Sequence, residues 1–350
     1  MNKKTINGKV VLVTGGTGSI GSVLVEKLIK DYAPKKVRIL DHSEIGLFEA
    51  TRKYQNNTKV RFLLGDVRDK DRMMIALKGV DVVFHAAALK HVALNEYSPF
   101  ESVKTNVIGT KNVLEAALAN KIETFINIST DKAANPTSTM GASKLLAERL
   151  TVGANYFKGK AKTVFSSVRF GNVLNSSGSV VPIFMDQIKK GKPVTVTDKR
   201  MVRYFMTIEG AVSLILKAAK VAQGGEVFIL KMPALKIVDL AEVLIEKYGN
   251  KKIEIKEIGK RPGEKIYEKI VTSTEAEQAL ELKNMYVLPL SIDYPSAAKD
   301  VVKKSYEYYR KMGGKPVPNE GVKPDKLLNK IEIRKLVETI DLSWNLLLLA

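Results

Sequence analysis

The chain has no cysteine among its 350 residues. Disulfides and thiolate metal sites are therefore excluded, and a reducing compartment suits it. Histidine is scarce, with 3 residues, so no histidine-rich metal centre is expected. Long apolar runs are missing too. None approaches the ~20 residues of a membrane-spanning helix, and the apolar tail at 346–349 is much too short. The basic Asn2-Lys3-Lys4 start has no apolar stretch behind it, so no signal peptide is read and the cytoplasm is the expected location. Acidic residues are in deficit: 57 Lys and Arg stand against 37 Asp and Glu, a formal net charge of +20. The lysines are dispersed, with no zinc-finger or RNP pattern among them, which disfavours nucleic acid. A solvated Lys-rich surface, or an acidic small substrate such as a phosphate ester, accounts for the excess.

What is present is rhythm. Residues 9–14, 36–40, 60–64, 81–85, 124–128 and 163–168 read as short buried strands, with helical periodicity between them at 19–31 and 106–119. Alternating β and α with β-branched strands predicts an α/β fold, a Rossmann-like, doubly wound parallel sheet. After about residue 170 the rhythm breaks. A Gly/Asn/Ser-rich loop at 171–178 leads to helices at 183–190 and 208–222 and strands at 194–197 and 226–230. Residues 1–170 therefore read as a dinucleotide-binding domain, and 171–350 as mainly a smaller mixed lobe closing a cleft with it. The Gly/Pro/Lys-rich stretch 313–326 reads as an extended surface segment.

The turn Thr14-Gly15-Gly16-Thr17-Gly18-Ser19-Ile20-Gly21 follows the first strand and opens a helix. Glycines there permit a tight turn and close approach to a pyrophosphate, and the helix N-terminus offers N–H groups and a positive dipole end. Asp41 ends the second strand, where a carboxylate accepts from adenosine ribose hydroxyls and repels a 2′-phosphate. No arginine follows in Asp41-His42-Ser43-Glu44, so NAD is favoured over NADP. Ala86-Ala87-Ala88 after the fourth strand is a small-residue shelf for the dinucleotide.

Thr130, Asp131 and Lys132 end the fifth strand at its carboxyl edge, where open α/β sites form. Met140 and Lys144 are four residues apart and share a helix face. Together, Ser129 to Pro136 and Met140-Gly141-Ala142-Ser143-Lys144 resemble the Ser/Thr…Tyr-x-x-x-Lys framework of extended short-chain dehydrogenase/reductases, with methionine in the tyrosine slot. A thioether cannot donate or accept a proton at neutral pH. Either another acid/base acts, and Asp131-Lys132 is the candidate, or the chain is a non-catalytic dinucleotide-binding regulator.

Further blocks narrow the resemblance. Leu89-Lys90-His91-Val92, Arg169-Phe170-Gly171-Asn172-Val173, Gly178-Ser179-Val180-Val181-Pro182, Arg200-Met201-Val202-Arg203-Tyr204-Phe205 and Arg261-Pro262-Gly263-Glu264-Lys265 resemble the UDP-N-acetylglucosamine 4,6-dehydratases of polysaccharide biosynthesis. The likeness extends to about residue 280. Met140 and Asp41-His42-Ser43-Glu44 are similar to the branch that retains configuration at C5, as opposed to the inverting branch. Many members of the retaining branch carry an N-terminal membrane region, whereas this chain starts at its first strand.

The resemblance implies a lyase that uses resident NAD, regenerated at each turnover, and UDP-N-acetylglucosamine as substrate. It implies oxidation at C4, loss of the C5 proton to Lys132, departure of the 6-hydroxyl with a proton from Asp131, and reduction at C6. Thr130 would orient the sugar, Lys144 would bind the nicotinamide ribose, and Asp66-Val67 would edge the adenine. Arg203 and Arg261 are candidates for the diphosphate, Glu264 for the uridine ribose, Asn172 for the nucleotide or diphosphate and Lys90 for the sugar. An inverting dehydratase or a UDP-sugar C4 epimerase is the alternative enzyme, the epimerase having no need of Asp131-Lys132. A homo-oligomer, pairing through helices such as 95–119 and 139–157, is expected.

Overall fold

The computed structural model describes residues 5–176, 178–250, 252–290, 299–324 and 326–339. The tail at 346–349 lies outside them. The first strands are Val10–Thr14 (β1), Lys36–Asp41 (β2), Val60–Leu64 (β3), Val82–His85 (β4), Thr124–Thr130 (β5) and Val164–Phe170 (β6). The short strands Asn172–Val173 (β7), Val194–Val196 (β8) and Val202–Met206 (β9) precede Val227–Leu230 (β10). Ala234–Lys236 (β11), Ile255–Glu257 (β12), Leu280–Glu281 (β13), Met285–Leu288 (β14) and Lys315–Pro316 (β15) complete the set. One ten-stranded sheet runs in the order β15-β13-β14-β10-β6-β5-β4-β1-β2-β3. From β3 to β10 every pairing is parallel, and β14, β13 and β15 add an antiparallel edge. The order reverses between β1 and β4, which opens a crevice at their carboxyl ends.

Helices cover both faces of this sheet, so its central strands are buried without alternation. The side chains still divide by period two. Val11 and Val13 face a core with Leu24, Val25 and Leu28 of helix Ser19–Asp31 (α1). Leu12 faces the other core, with Val113 and Ala117. On that side lie Lys70–Ala76, Thr110–Ala119 and the long helix Thr139–Phe157, called here the catalytic helix. A third core, around Phe184, Phe205, Leu240 and Leu244, belongs to the small lobe with β8, β9, β11 and β12.

Three expectations change. The helix read at 106–119 begins as a widened π turn at Val103–Gly109 and becomes α-helical at Thr110. Nor does the chain divide at residue 170. β10, β13, β14 and β15 return to the large sheet, and helix Ile208–Val221 packs against α1. The backbone edge of β6 is satisfied in this way, because Val227 to Ile229 pair with Ser167 to Arg169. In the 313–326 stretch, Val317 is buried beside the edge strand β15, so part of it is core rather than surface.

Candidate active site

The glycine turn lies at the crevice between β1 and β4. Gly15 sits at φ +64°, and a Cβ there would lie 2.7 Å from the Ala87 nitrogen. At Gly21 a Cβ would meet the Gly15 carbonyl oxygen at 2.1 Å. At Gly15 and Gly21 backbone therefore lines this turn, and Ala86 and Ala87 close on it. Gly18 precedes α1 and no side chain caps the helix there. Gly16 packs against Ile39 of β2, Ile20 is partly buried on the core, and Ser19 opens the helix. Ala88, like its neighbours, is half-buried.

Asp41 is buried at the end of β2. Its Oδ2 accepts from the Thr17 amide (3.0 Å) and hydroxyl (2.7 Å), and its Oδ1 accepts from the Ser43 amide (3.1 Å). His42 stands exposed beside it, 3.3 Å from Oδ1. The carboxylate is thus fixed toward the turn, with lone pairs left for ribose hydroxyls. Asp66 is held by Arg68 through both carboxylate oxygens. Burial raises the Asp66 pKa, but the Arg68 hydrogen bonds outweigh it and keep the group below its ordinary range. Val67 turns its side chain inward against Gly109 of the π turn, and its carbonyl accepts from Asn112 Nδ2 at 3.1 Å. The backbone cradle, the uncapped helix start and Asp41 fit a dinucleotide.

The second centre lies at the end of β5. Asp131 is fully buried. Its Oδ1 accepts from the Thr130 hydroxyl (2.9 Å) and from Lys132 Nζ (3.0 Å), while its Oδ2 has no hydrogen-bond partner. Lys132 Nζ also donates to Asn172 Oδ1 at 3.2 Å, so β7 of the small lobe touches the pair. The local fold explains the placement. Thr130 caps a single 3-10 turn, Asp131–Ala133, which turns both side chains off the strand end.

Met140 and Lys144 are both buried on the catalytic helix. Ser138 caps this helix, and Glu96 takes the Thr139 amide (2.5 Å) and hydroxyl (3.0 Å). Lys144 Nζ donates to the Ile128 carbonyl at 2.5 Å, placing it against β5. Desolvation lowers its pKa to about 8, with Glu148 one turn on pulling the other way. Glu148 in turn holds fully buried Arg169 of β6, which Glu275 pairs from the opposite side.

The substrate candidates separate. Asn172 joins the acid–base pair. Arg261 is exposed on a turn, where Glu264 Oε2 accepts its amide at 3.1 Å. Lys90 is exposed on the segment after β4. Arg203 is buried, donating to the carbonyls of Val202, Lys265 and Ile266 at 2.8, 2.8 and 3.0 Å, with Glu264 3.9 Å away. Those bonds hold the turn and engage three of its five guanidinium N–H groups.

Sequence reading missed a polar chain beneath both centres. Thr14 Oγ1 lies 2.8 Å from His85 Nδ1, and His85 Nε2 lies 3.0 Å from Thr110 Oγ1. Thr110 donates to the Asn106 carbonyl, and Asn106 Nδ2 reaches Ser143 Oγ on the catalytic helix at 3.0 Å. Burial, reinforced by Lys144, lowers the His85 pKa to about 3, so the ring is neutral. The available signal was polar residues recurring on helix and strand positions that pattern as core.

A family model described as polysaccharide biosynthesis protein matches residues 11–289. An uncharacterized membrane protein of Methanocaldococcus jannaschii is 53% identical over 338 residues, 95% of this chain and 96% of that one. Among the described residues here, no helix is long and apolar enough to cross a membrane. A Campylobacter jejuni UDP-N-acetylglucosamine 4,6-dehydratase (inverting) is 42% identical over 287 residues, 82% and 84% of the two chains. A Rickettsia bellii protein named UDP-glucose 4-epimerase is 42% identical over 289 residues, 81% and 83%. The solved structure of Pen from Bacillus thuringiensis superposes with a TM-score of 0.86 at 41% identity, covering 95% of this chain and 98% of that one.

Proposed function

Because the chain belongs to the polysaccharide biosynthesis protein family of extended short-chain dehydrogenase/reductases, we propose that it dehydrates UDP-N-acetylglucosamine to the UDP-4-keto-6-deoxy sugar. The observation that carries this reading is Asp131: a fully buried carboxylate with one oxygen held by Thr130 and Lys132 and the other unpartnered. A buried polar atom without a partner is costly, and a substrate hydroxyl relieves that cost. Asp131-Lys132 supplies adjacent acid and base where Met140 can supply neither.

NAD fits the cradle formed by Gly15, Gly16, Gly18 and Gly21, with Asp41 at the adenosine ribose and Lys144 at the nicotinamide ribose. When bound, it supplies oxidation at C4 and reduction at C6. Asp131 Oδ2 accepts the 4-hydroxyl proton while Thr130 orients that hydroxyl. Once Asp131 is protonated, the Lys132 ammonium releases its proton to solvent, and it regains one when Asp131 is again a carboxylate. Lys132, entering this step as the amine, takes the C5 proton made acidic by the adjacent ketone. Asp131 then delivers its proton to the departing 6-hydroxyl, and water leaves. Lys132 finally returns its proton to C5. Return by the same Nζ to the same face retains C5 configuration, and inversion requires a donor on the other face. Methionine at 140 supports retention, while the relative named inverting weighs toward the other product. Arg261 receives the diphosphate and Glu264 the uridine ribose.

The relative named UDP-glucose 4-epimerase favours a second reading, C4 epimerisation. Such a reaction leaves Asp131-Lys132 without a task. Proton NMR of the purified protein with UDP-N-acetylglucosamine, without added NAD, tests both. A 4-keto-6-deoxy product is expected, and its ring couplings report C5. A 4-epimer would replace the dehydratase reading. No product even with NAD added, together with tight NAD binding, would favour the regulatory one.

A further inference from the structure

We infer that Lys265 is a positioning residue for the acid–base pair, latching the Arg261–Lys265 turn onto the 131–138 segment that carries Asp131 and Lys132. This rests on the dehydratase reading and extends it to a residue that neither contacts Asp131 nor Lys132. Residues 131–138 have few bonds of their own. Beyond the turn at Asp131–Ala133, Asn135 adopts φ +50°, a left-handed conformation uncommon outside glycine. Such a conformation persists where the surroundings impose it.

The surroundings here come from a distant part of the chain. Lys265 Nζ donates to the Ala134 carbonyl at 3.2 Å and pairs with buried Glu268 at 3.0 Å. Thr137 Oγ1 donates to the Gly263 carbonyl at 2.6 Å. Gly263 is at φ +73°, and a Cβ there would lie 2.5 Å from the Thr137 carbonyl oxygen, so the two segments are in backbone contact. The turn is itself anchored to β9, through Arg203 on the Lys265 and Ile266 carbonyls and the Val202 amide on Ile266. β9 also pairs with β7, whose Asn172 holds Lys132. One small sheet therefore reaches the acid–base pair twice: directly through Asn172, and through Arg203, the turn and Lys265. The turn also bears Arg261 and Glu264. The nucleotide end and the sugar end are thus joined through Lys265 and Thr137.

The test uses the full chain and four variants. Lys265→Met removes the latch. Lys265→Met with Glu268→Gln does so without stranding a buried carboxylate. Thr137→Val removes the second tie, and Lys265→Arg is the conservative replacement. Hydrogen exchange of the ligand-free protein reads the segment without any assumption about substrate. We expect about tenfold faster exchange across 131–139 in the first three variants, the size of one lost hydrogen bond, with β1 and α1 unchanged. In turnover with UDP-N-acetylglucosamine, kcat is expected to fall at least about tenfold with KM within about threefold. Because Asp131 takes the 4-hydroxyl proton and Lys132 the C5 proton, C4 oxidation and product formation should both slow in these variants. Lys265→Arg should restore most of kcat. Unchanged exchange at 131–139 overturns the inference, as does an unchanged kcat in the first three variants. If the wild type forms no product while exchange responds as expected, the substrate reading fails and the latch stands.

Discussion

Lys144 is buried with its Nζ on the Ile128 carbonyl, and that burial brings its pKa down to about 8. An unfolded lysine titrates near 10.4. Between these values the unfolded chain binds more protons, so stability rises with pH through that window. At pH 7 both states are protonated, and holding the charge inside costs roughly 3 kcal/mol. Lys144→Met should therefore raise the melting temperature at pH 7 by several degrees and by much less at pH 10, while turnover is lost. Calorimetry at the two pH values checks this, and an equal gain at both would refute it. Wild-type activity should decline as pH rises through about 8, where Lys144 loses the charge that attracts the cofactor ribose. Lys132→Ala should lower product formation at least about 100-fold, the scale of a lost general base, read by NMR of the same reaction. Full activity there would remove lysine as the base. Met140→Tyr should not raise the rate, because the acid–base work lies on β5 and the new phenol would enter a packed site.

At the scale of elements, His85 ties β1, β4 and the helix that follows the π turn. Its folded pKa, about 3, lies below the ordinary value of 6.5. A depressed histidine favours the folded state above 6.5, and this is lost as pH falls toward 3, since only the unfolded chain takes the proton. Wild-type melting temperature should thus fall more steeply between pH 6.5 and 5 than that of His85→Gln, in parallel thermal scans. Parallel slopes would show that His85 does not carry the acid sensitivity. The elements differ in how readable they were. Residues 19–31 were read as a helix and Ser19–Asp31 is one, because its apolar period and glycine entry are local. The Thr130-Asp131-Lys132 cluster was legible because one strand end carries all three. The hold of Arg203 on the turn was not, since its acceptors there lie more than sixty residues on. Glu96, Asn106 and Lys265 escaped for the same reason. β13 and β15, two residues each, carry no periodicity that a sequence window could detect.

For the whole molecule, a net charge of +20 opposes self-association through the charged surface. Yet the outer side of the catalytic helix and its neighbours is apolar. Phe157 is 82% exposed, and Leu146, eleven residues earlier, lies three turns away on the same face. Tyr97 (90%) and Phe100 (79%) stand on the helices Val92–Tyr97 and Pro99–Ser102, both packed against the catalytic helix. Exposed aromatics grouped on adjoining helices mark a contact surface rather than scattered surface residues. A second copy presenting the same face gives a closed pair, whereas a head-to-tail contact would need a different complementary patch. We therefore expect a dimer by light scattering at micromolar concentration. Apolar contacts are not screened, so it should persist in high salt. Tyr97→Asp with Phe100→Asp should yield a folded monomer. These helices carry Glu96, which clamps the start of the catalytic helix, so the monomer should also bind NAD more weakly. A dimer unaffected by both substitutions would move the interface to another face.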